Sequence, residues 1–188
     1  MNFFEKRNDA GEAQIVRASL AEPDSPVKQV NIYNKYKTVT YEVSTARHDD
    51  SEKLRSKAYY NVAGKDKDGN LRERFSGEEY LDHTENYKQN GVDFYHSISF
   101  YEKWTDTNGD NIKQPSELSN VRADLVDLSS EAPLAVSIDF WDDLKEALDA
   151  TDFAAAMSTA RPKRSVSYFK GERNEEKTWY QVGYNEFS

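Results

Sequence analysis

The chain has no cysteine in its 188 residues, which excludes disulfides, zinc–thiolate centres, iron–sulfur clusters and thiol nucleophiles together. It has no apolar run near the roughly 20 residues of a membrane span, and Met1-Asn2-Phe3-Phe4-Glu5-Lys6 lacks the apolar stretch of a signal peptide. As written, the chain is expected to stay in the cytoplasm without inserting into a membrane; removal of a leader, or a viral origin, would make it secreted or virion-exposed. Bases are in deficit, 25 against 34 acids for a net charge of −9, which argues against direct nucleic-acid binding, since phosphate contacts need a cationic surface. Aliphatic bulk is scarce as well. Leu, Ile, Val and Phe make up 36 residues, about 19 % of the chain, a proportion at the compositional edge of disorder.

What is present reverses that last reading. Twelve Tyr and three Trp are large burial units with a polar handle, and disordered chains lack them, so a folded domain with a thin, aromatic-rich core is expected. Period-2 alternation dominates. Val39, Tyr41 and Val43 alternate with polar residues, as do Val92, Phe94, His96, Ile98 and Phe100, and each set reads as a half-buried strand. Shorter strands are expected at Val30 to Tyr33, Ala58 to Val62 and Leu71 to Phe75, the last two joined by a turn carrying Asp68-Gly69. Ser165 to Phe169 and Thr178 to Tyr184 flank a short charged loop and read as a C-terminal hairpin. Such short connections favour antiparallel pairing.

Helical spacing appears at Phe140, Trp141, Leu144, Ala147 and Leu148, with Asp139 as the expected N-cap, and a second short helix is expected through Phe153 to Met157, capped by Thr151 and ended by Pro162. Leu118, Val121, Leu125 and Leu128 suit a helix or a strand. The fold class expected from these signals is α+β: an antiparallel sheet of about six to eight strands, in hairpins or a meander, packed with two or three short helices. One domain spans 1–188, with an N-terminal arm or irregular segment at 1–28, antiparallel strands at 29–104, an acidic loop and helical segment at 105–160 and the C-terminal β-hairpin at 161–188. The charge is uneven, since residues 105–150 hold 11 acids and 3 bases, enough to make any field that attracts cations or basic partners local to that segment.

One motif carries chemistry. Asp106-Thr107-Asn108-Gly109-Asp110-Asn111-Ile112-Lys113-Gln114-Pro115-Ser116-Glu117 places oxygen-bearing side chains at positions 1, 3 and 5 and a carboxylate at 12. The run resembles the calcium loop of EF-hands and the related loops of dockerin-type modules, over these 12 residues only. The resemblance implies a structural Ca2+ held by Asp106, Asn108 and Asp110, by the carbonyl of Ile112 and by Glu117. Asn111 stands where the EF-hand pattern has Gly, and Asn tolerates the left-handed conformation better than other residues do. The preceding segment reads as a strand, so a lone metal clip between a strand and a helix is expected, not a paired sensor.

Three histidines complete the candidates. His96 falls on the apolar face of a strand, where a hydrogen-bonded core residue is the expectation. His48 beside Asp49 and Asp50, and His83 beside Asp82 and Glu85, lie in polar stretches as possible ligands or acid–base pairs. No HExxH, GxSxG, GxGxxG or P-loop pattern occurs. The expected function is a non-catalytic interaction or assembly module with a Ca2+-stabilised loop and a protein partner, on a surface, in a secreted complex or in a virion. Two alternatives stand beside it: an acidic decoy that mimics nucleic acid or blocks a basic groove, and a hydrolase using carboxylates and a histidine.

Overall fold

The computed structural model describes residues 2–7, 13–17, 25–33, 54–88, 93–128, 130–141 and 145–185. The strands are β1 (Asn2–Arg7), β2 (Ala13–Arg17), β3 (Val27–Tyr33), β4 (Leu54–Asn61), β5 (Ala63–Lys65), β6 (Leu71–Glu73), β7 (Tyr80–Tyr87), β8 (Asp93–Trp104), β9 (Leu118–Val121), β10 (Leu134–Phe140), β11 (Lys163–Lys170) and β12 (Lys177–Gly183). Ten of them form one antiparallel sheet in the order β12-β11-β10-β8-β7-β4-β3-β1-β2, with β9 pairing β8, while β5 and β6 make a separate hairpin. Tyr101 of β8 pairs with Leu134 of β10 on one side and with Val121 of β9 on the other. The second half of β8 therefore exchanges β7 for β9 along one edge.

The α+β expectation is overturned. Helix is confined to one turn, α1 (Lys145–Leu148), and one six-residue segment, α2 (Phe153–Ser158), beside 3-10 turns at Pro115–Glu117 and Ala123–Leu125. Asp139 and Phe140 were expected to open a helix and instead end β10. Pairing decides this, because Asp139 accepts from Ser97 Oγ at 2.6 Å and from Ser165 Oγ at 2.7 Å on the strands either side, while Val136, Ile138 and Phe140 all point into the core. Asp152, not Thr151, caps α2 by accepting from the N–H of Ala155. The 118–128 stretch resolves into β9 and a single 3-10 turn. Asn2–Arg7 and Ala13–Arg17 pair with each other, so the N-terminal segment is a hairpin and not an irregular arm. The strand expected at Val39 to Val43 lies outside the described residues. No helix among the described residues is long and apolar enough to cross a membrane.

The register separates the two faces of the sheet. Ile98 faces Ile138, then Val166, then Val182; Phe100 faces Val136, then Tyr168, then Tyr180. These rows, with Phe140, form the main core, and Ala147, Ala150 and Ala156 of the helical segment close over them. Phe100, Phe140, Ile98 and Ile138 are completely buried, each contributing about 1.5–3 kcal/mol. The opposite face carries Ser97, Asp139 and Ser165, and beside them Ser99, Ser137, Ser167 and Gln181. Gln181 Nε2 donates to Ser165 Oγ at 3.1 Å and to Ser167 Oγ at 2.9 Å. A second cluster of Tyr80, Tyr101, Val121, Ala123, Val126 and Ala132 lies at the β9 end. Buried Arg74 is fixed there, donating to Val126 O at 2.5 Å and to Ala63 O at 3.2 Å and stacking on the Tyr80 ring, against which Arg173 also packs.

Candidate functional site

The loop that joins β8 to β9 holds the calcium-like motif. It leaves a strand, as expected, but enters a 3-10 turn and another strand instead of a helix. Thr105 N–H donates to Glu117 O at 3.1 Å and Trp104 pairs with Leu118, so the motif closes a β-hairpin. Inside it, Gly109 and Asn111 adopt positive φ of 77° and 55°, and the turn folds back on itself. Asp106 accepts from Gly109 N–H at 2.7 Å and Asn111 N–H at 3.0 Å. Asp110 accepts from Ile112 N–H at 2.7 Å, Gln114 Nε2 at 2.8 Å and Asn108 Nδ2 at 3.0 Å.

Glu117 arrives from the far side of the hairpin. Its Oε1 accepts from Thr107 N–H at 3.0 Å and Thr107 Oγ1 at 2.9 Å, and its Oε2 from the Trp104 indole at 3.1 Å. The Trp104 bond first, then those from Thr107, hold its carboxyl below the usual range against the opposing effect of burial. One carboxylate oxygen each of Asp106, Asp110 and Glu117 lies within 4.8 Å of the other two. That convergence concentrates three negative charges at one point. Neighbouring N–H donors offset part of the repulsion, and a hard cation is the chemistry that would remove the rest.

The five expected ligands thus divide. Asp106, Asp110 and Glu117 are brought together. Asn108 lies between them with its Oδ1 accepting from Asp110 N–H at 2.9 Å. Ile112 is 62 % exposed and meets the cluster through its N–H.

A second polar centre forms where β7 and β9 diverge along β8. The β4–β7 register shifts between Tyr59 and Tyr60, so that Asp82 is an extra, bulged residue on β7. Bulges re-aim side chains, and here Asp82 Oδ2 meets His83 Nδ1 at 2.8 Å. Arg122, immediately after β9, grips the same carboxylate from Nε to Oδ1 at 3.1 Å and from Nη2 to Oδ2 at 2.5 Å, and donates from Nη1 to Leu148 O at 3.0 Å. Burial pushes the Asp82 carboxyl up, but the bonds from His83 and Arg122 more than offset it, leaving it below the ordinary range. Tyr59 stacks on the His83 ring at 4.4 Å.

Glu85, the other carboxylate expected beside His83, instead takes the hydroxyls of Tyr59 and Tyr87 and an ion pair from Lys57 at 3.9 Å. Burial, followed by the charge and hydrogen bond of Glu85, raises the Tyr59 phenol well above its ordinary value. His96 is 3 % exposed on the core face, and His48 lies outside the described residues. Nothing in the sequence marked Arg122 or the Asp82 bulge, because their partners are 40 residues apart.

The acidic segment is broken up by the strands. Asp127 pairs with Lys103 at 3.2 Å, Glu131 with Arg173 at 3.5 Å, and Asp139 is held within the sheet. Asp142 and Asp143, central to a decoy surface, lie outside the described residues. The basic run at 161–164 serves its own chain, with Lys163 Nζ donating to Thr159 O at 2.9 Å and Arg164 packed over the Tyr95 and Trp141 rings. Beside the hairpin loop, Glu102, Lys113, Glu131, Leu134, Lys170 and Arg173 line an open groove of about 460 Å³, bridged by a Lys113–Glu102 pair at 2.5 Å. No family model, no curated protein and no solved structure matches this chain.

Proposed function

We propose that the chain is a non-catalytic interaction or assembly module whose β8–β9 hairpin is clipped by a structural Ca2+. The observation that carries the metal reading is the convergence of Asp106, Asp110 and Glu117, drawn from both limbs of one hairpin to within 4.8 Å. Calcium takes six to eight oxygen ligands at roughly 2.3–2.6 Å in flexible geometry, and the three carboxylates with Asn108 supply acidic oxygens to start such a shell. A cation there holds β8 to β9, and through β9 it steadies Arg122 and the second aromatic cluster. The interaction reading draws on the end strand β12, where Trp179, Tyr180 and Val182 stand 60 %, 43 % and 39 % exposed.

The test is a thermal melt of the full chain in millimolar calcium, in magnesium and in chelator, repeated on Asp110→Ala. At about 100 times its dissociation constant a ligand adds roughly 2.7 kcal/mol to the folded state, and at roughly 2–4 °C per kcal/mol for this size melting should rise by about 5–10 °C in calcium. The rise should vanish in the variant. Equal melting in calcium and chelator would remove the metal from this reading.

A further inference from the structure

We propose that the partner is a second copy of this chain, joined edge to edge through β12 about a twofold axis at Gln181. The inference rests on the assembly reading above and names its partner. It starts from the backbone. Tyr184 N–H donates to Arg164 O at 2.9 Å, and in the printed register Val182 then faces Val166, and Tyr180 faces Tyr168, as hydrogen-bonded pairs. Alternation in an antiparallel ladder turns the N–H and C=O of Gln181 and Gly183 away from β11. Among the described residues no strand receives them, since β12 ends the sheet.

The side chains on this strand are those of a sheet interior. The core rows run Ile98–Ile138–Val166–Val182 and Phe100–Val136–Tyr168–Tyr180. Their exposure stays at 0–1 % through Ile98, Phe100, Val136, Ile138 and Val166, then jumps to 39 % at Val182 and 43 % at Tyr180. The apolar face stops where the sheet stops, and not where the sequence turns polar. An edge of this kind is a template for another strand.

The strand is complementary to itself. With Gln181 on the axis, Gln181 exchanges backbone bonds with its own copy, and Tyr180 of each chain meets Val182 of the other on the core face. The same register sets Gly183 opposite Trp179, the residue at which the β11–β12 register shifts. Nothing within one copy asks for glycine at 183, because a Cβ there would meet no atom within 4 Å and the φ is not positive. A side chain there would crowd the partner's Trp179.

Charge permits the pairing. The chain carries −9, yet Thr178 to Tyr184 contains no charged residue, and β11 with β12 contains four cations and no acid. The two Lys177 residues would stand eight strand positions apart, about 27 Å, well beyond the screening length of about 8–10 Å. The acid excess of residues 105–150 is kept off the contact.

Sedimentation equilibrium on the full chain, across a wide concentration range, tests this. The expected mass is twice 21.6 kDa, falling to 21.6 kDa on dilution. Gly183→Pro removes only an outward N–H, and Val182→Lys places like charges beside the axis. Both should give a 21.6 kDa species at concentrations where the wild type is paired, with unchanged circular dichroism. A single-chain mass at every concentration, a mass other than double, or a doubled mass that survives both substitutions would overturn the proposal. A monomer whose melting still rises in calcium would sink this partner and leave the calcium-clipped module standing; a β12 dimer with no calcium response would do the reverse.

Discussion

Replacing Arg122 with Leu should be among the most damaging single changes available. Its side chain is 7 % exposed and the carboxylate it grips, Asp82, is 19 % exposed. The substitution keeps apolar volume but leaves Asp82 with only the His83 donor, and it also strips the Leu148 carbonyl of its bond. Removing one partner of a buried pair costs about 3–5 kcal/mol; the remaining His83 bond and the residual solvent access of Asp82 put the expectation at the lower end, about 3 kcal/mol. For a chain of this size that is a fall in melting temperature of about 6–12 °C. Urea unfolding of the wild type, Arg122→Leu, Asp82→Asn and the double variant would isolate the pair by a thermodynamic cycle.

The pH dependence is a second reading of the same pair. Asp82 is depressed in the folded state, so its contribution is present above the unfolded carboxylate pKa of about 3.9 and is lost as pH falls through the folded value. The gap between wild type and Arg122→Leu should therefore narrow in acid. A loss under 1 kcal/mol at neutral pH, or strictly additive effects in the double variant, would refute the argument.

Other expectations follow from single contacts. Trp104→Phe removes the leading donor to Glu117, so the Glu117 carboxyl should titrate higher, measurable by NMR; an unchanged titration would refute the indole's role. Gly64→Ala would set a Cβ 2.7 Å from Arg74 Nη2 and 3.1 Å from Leu128 Cδ2. With the guanidinium fixed by two carbonyls, the cost should be about 1–3 kcal/mol by chemical denaturation, and a neutral result would mean that Arg74 is free to move. Gly171→Ala adds a Cβ 2.8 Å from the Glu175 carbonyl at φ +139° and should loosen the β11–β12 turn, seen as faster proteolysis at residues 171–176.

The parts of the fold legible in the sequence were those where one face is apolar and the other polar. Val92 to Phe100 announces β8 because Ile98 and Phe100 point into the core while Ser97 and Ser99 do not. β10 was hidden by an accident of spacing: Phe140 belongs to both the alternation from Val136 and the helical run through Trp141, and only strands on both sides settle it. β7 reads Tyr-Leu-Asp-His-Thr-Glu-Asn-Tyr, which has no apolar alternation. It is a strand because β4 and β8 take up its backbone groups and because Glu85 collects Tyr59, Tyr87 and Lys57. The carboxylates of the hairpin loop were legible from spacing alone, including the left-handed Asn111. Their support by Trp104 and Thr107 was not, since it depends on how tightly the hairpin closes, and the Asp82–Arg122 grip depends on a bulge that no local pattern encodes.

The strand β8 has three neighbours, β7, β9 and β10, and nearly every other strand pairs with its neighbour in sequence. Most of the sheet can therefore grow by adding one hairpin at a time to that strand, in both directions, with little chain to close at each step. Native-state openings should follow the same path in reverse, peeling from the two outer hairpins inward. β8, including Ile98 and Phe100, would then be the last segment to exchange its amides and the one whose opening equals global unfolding.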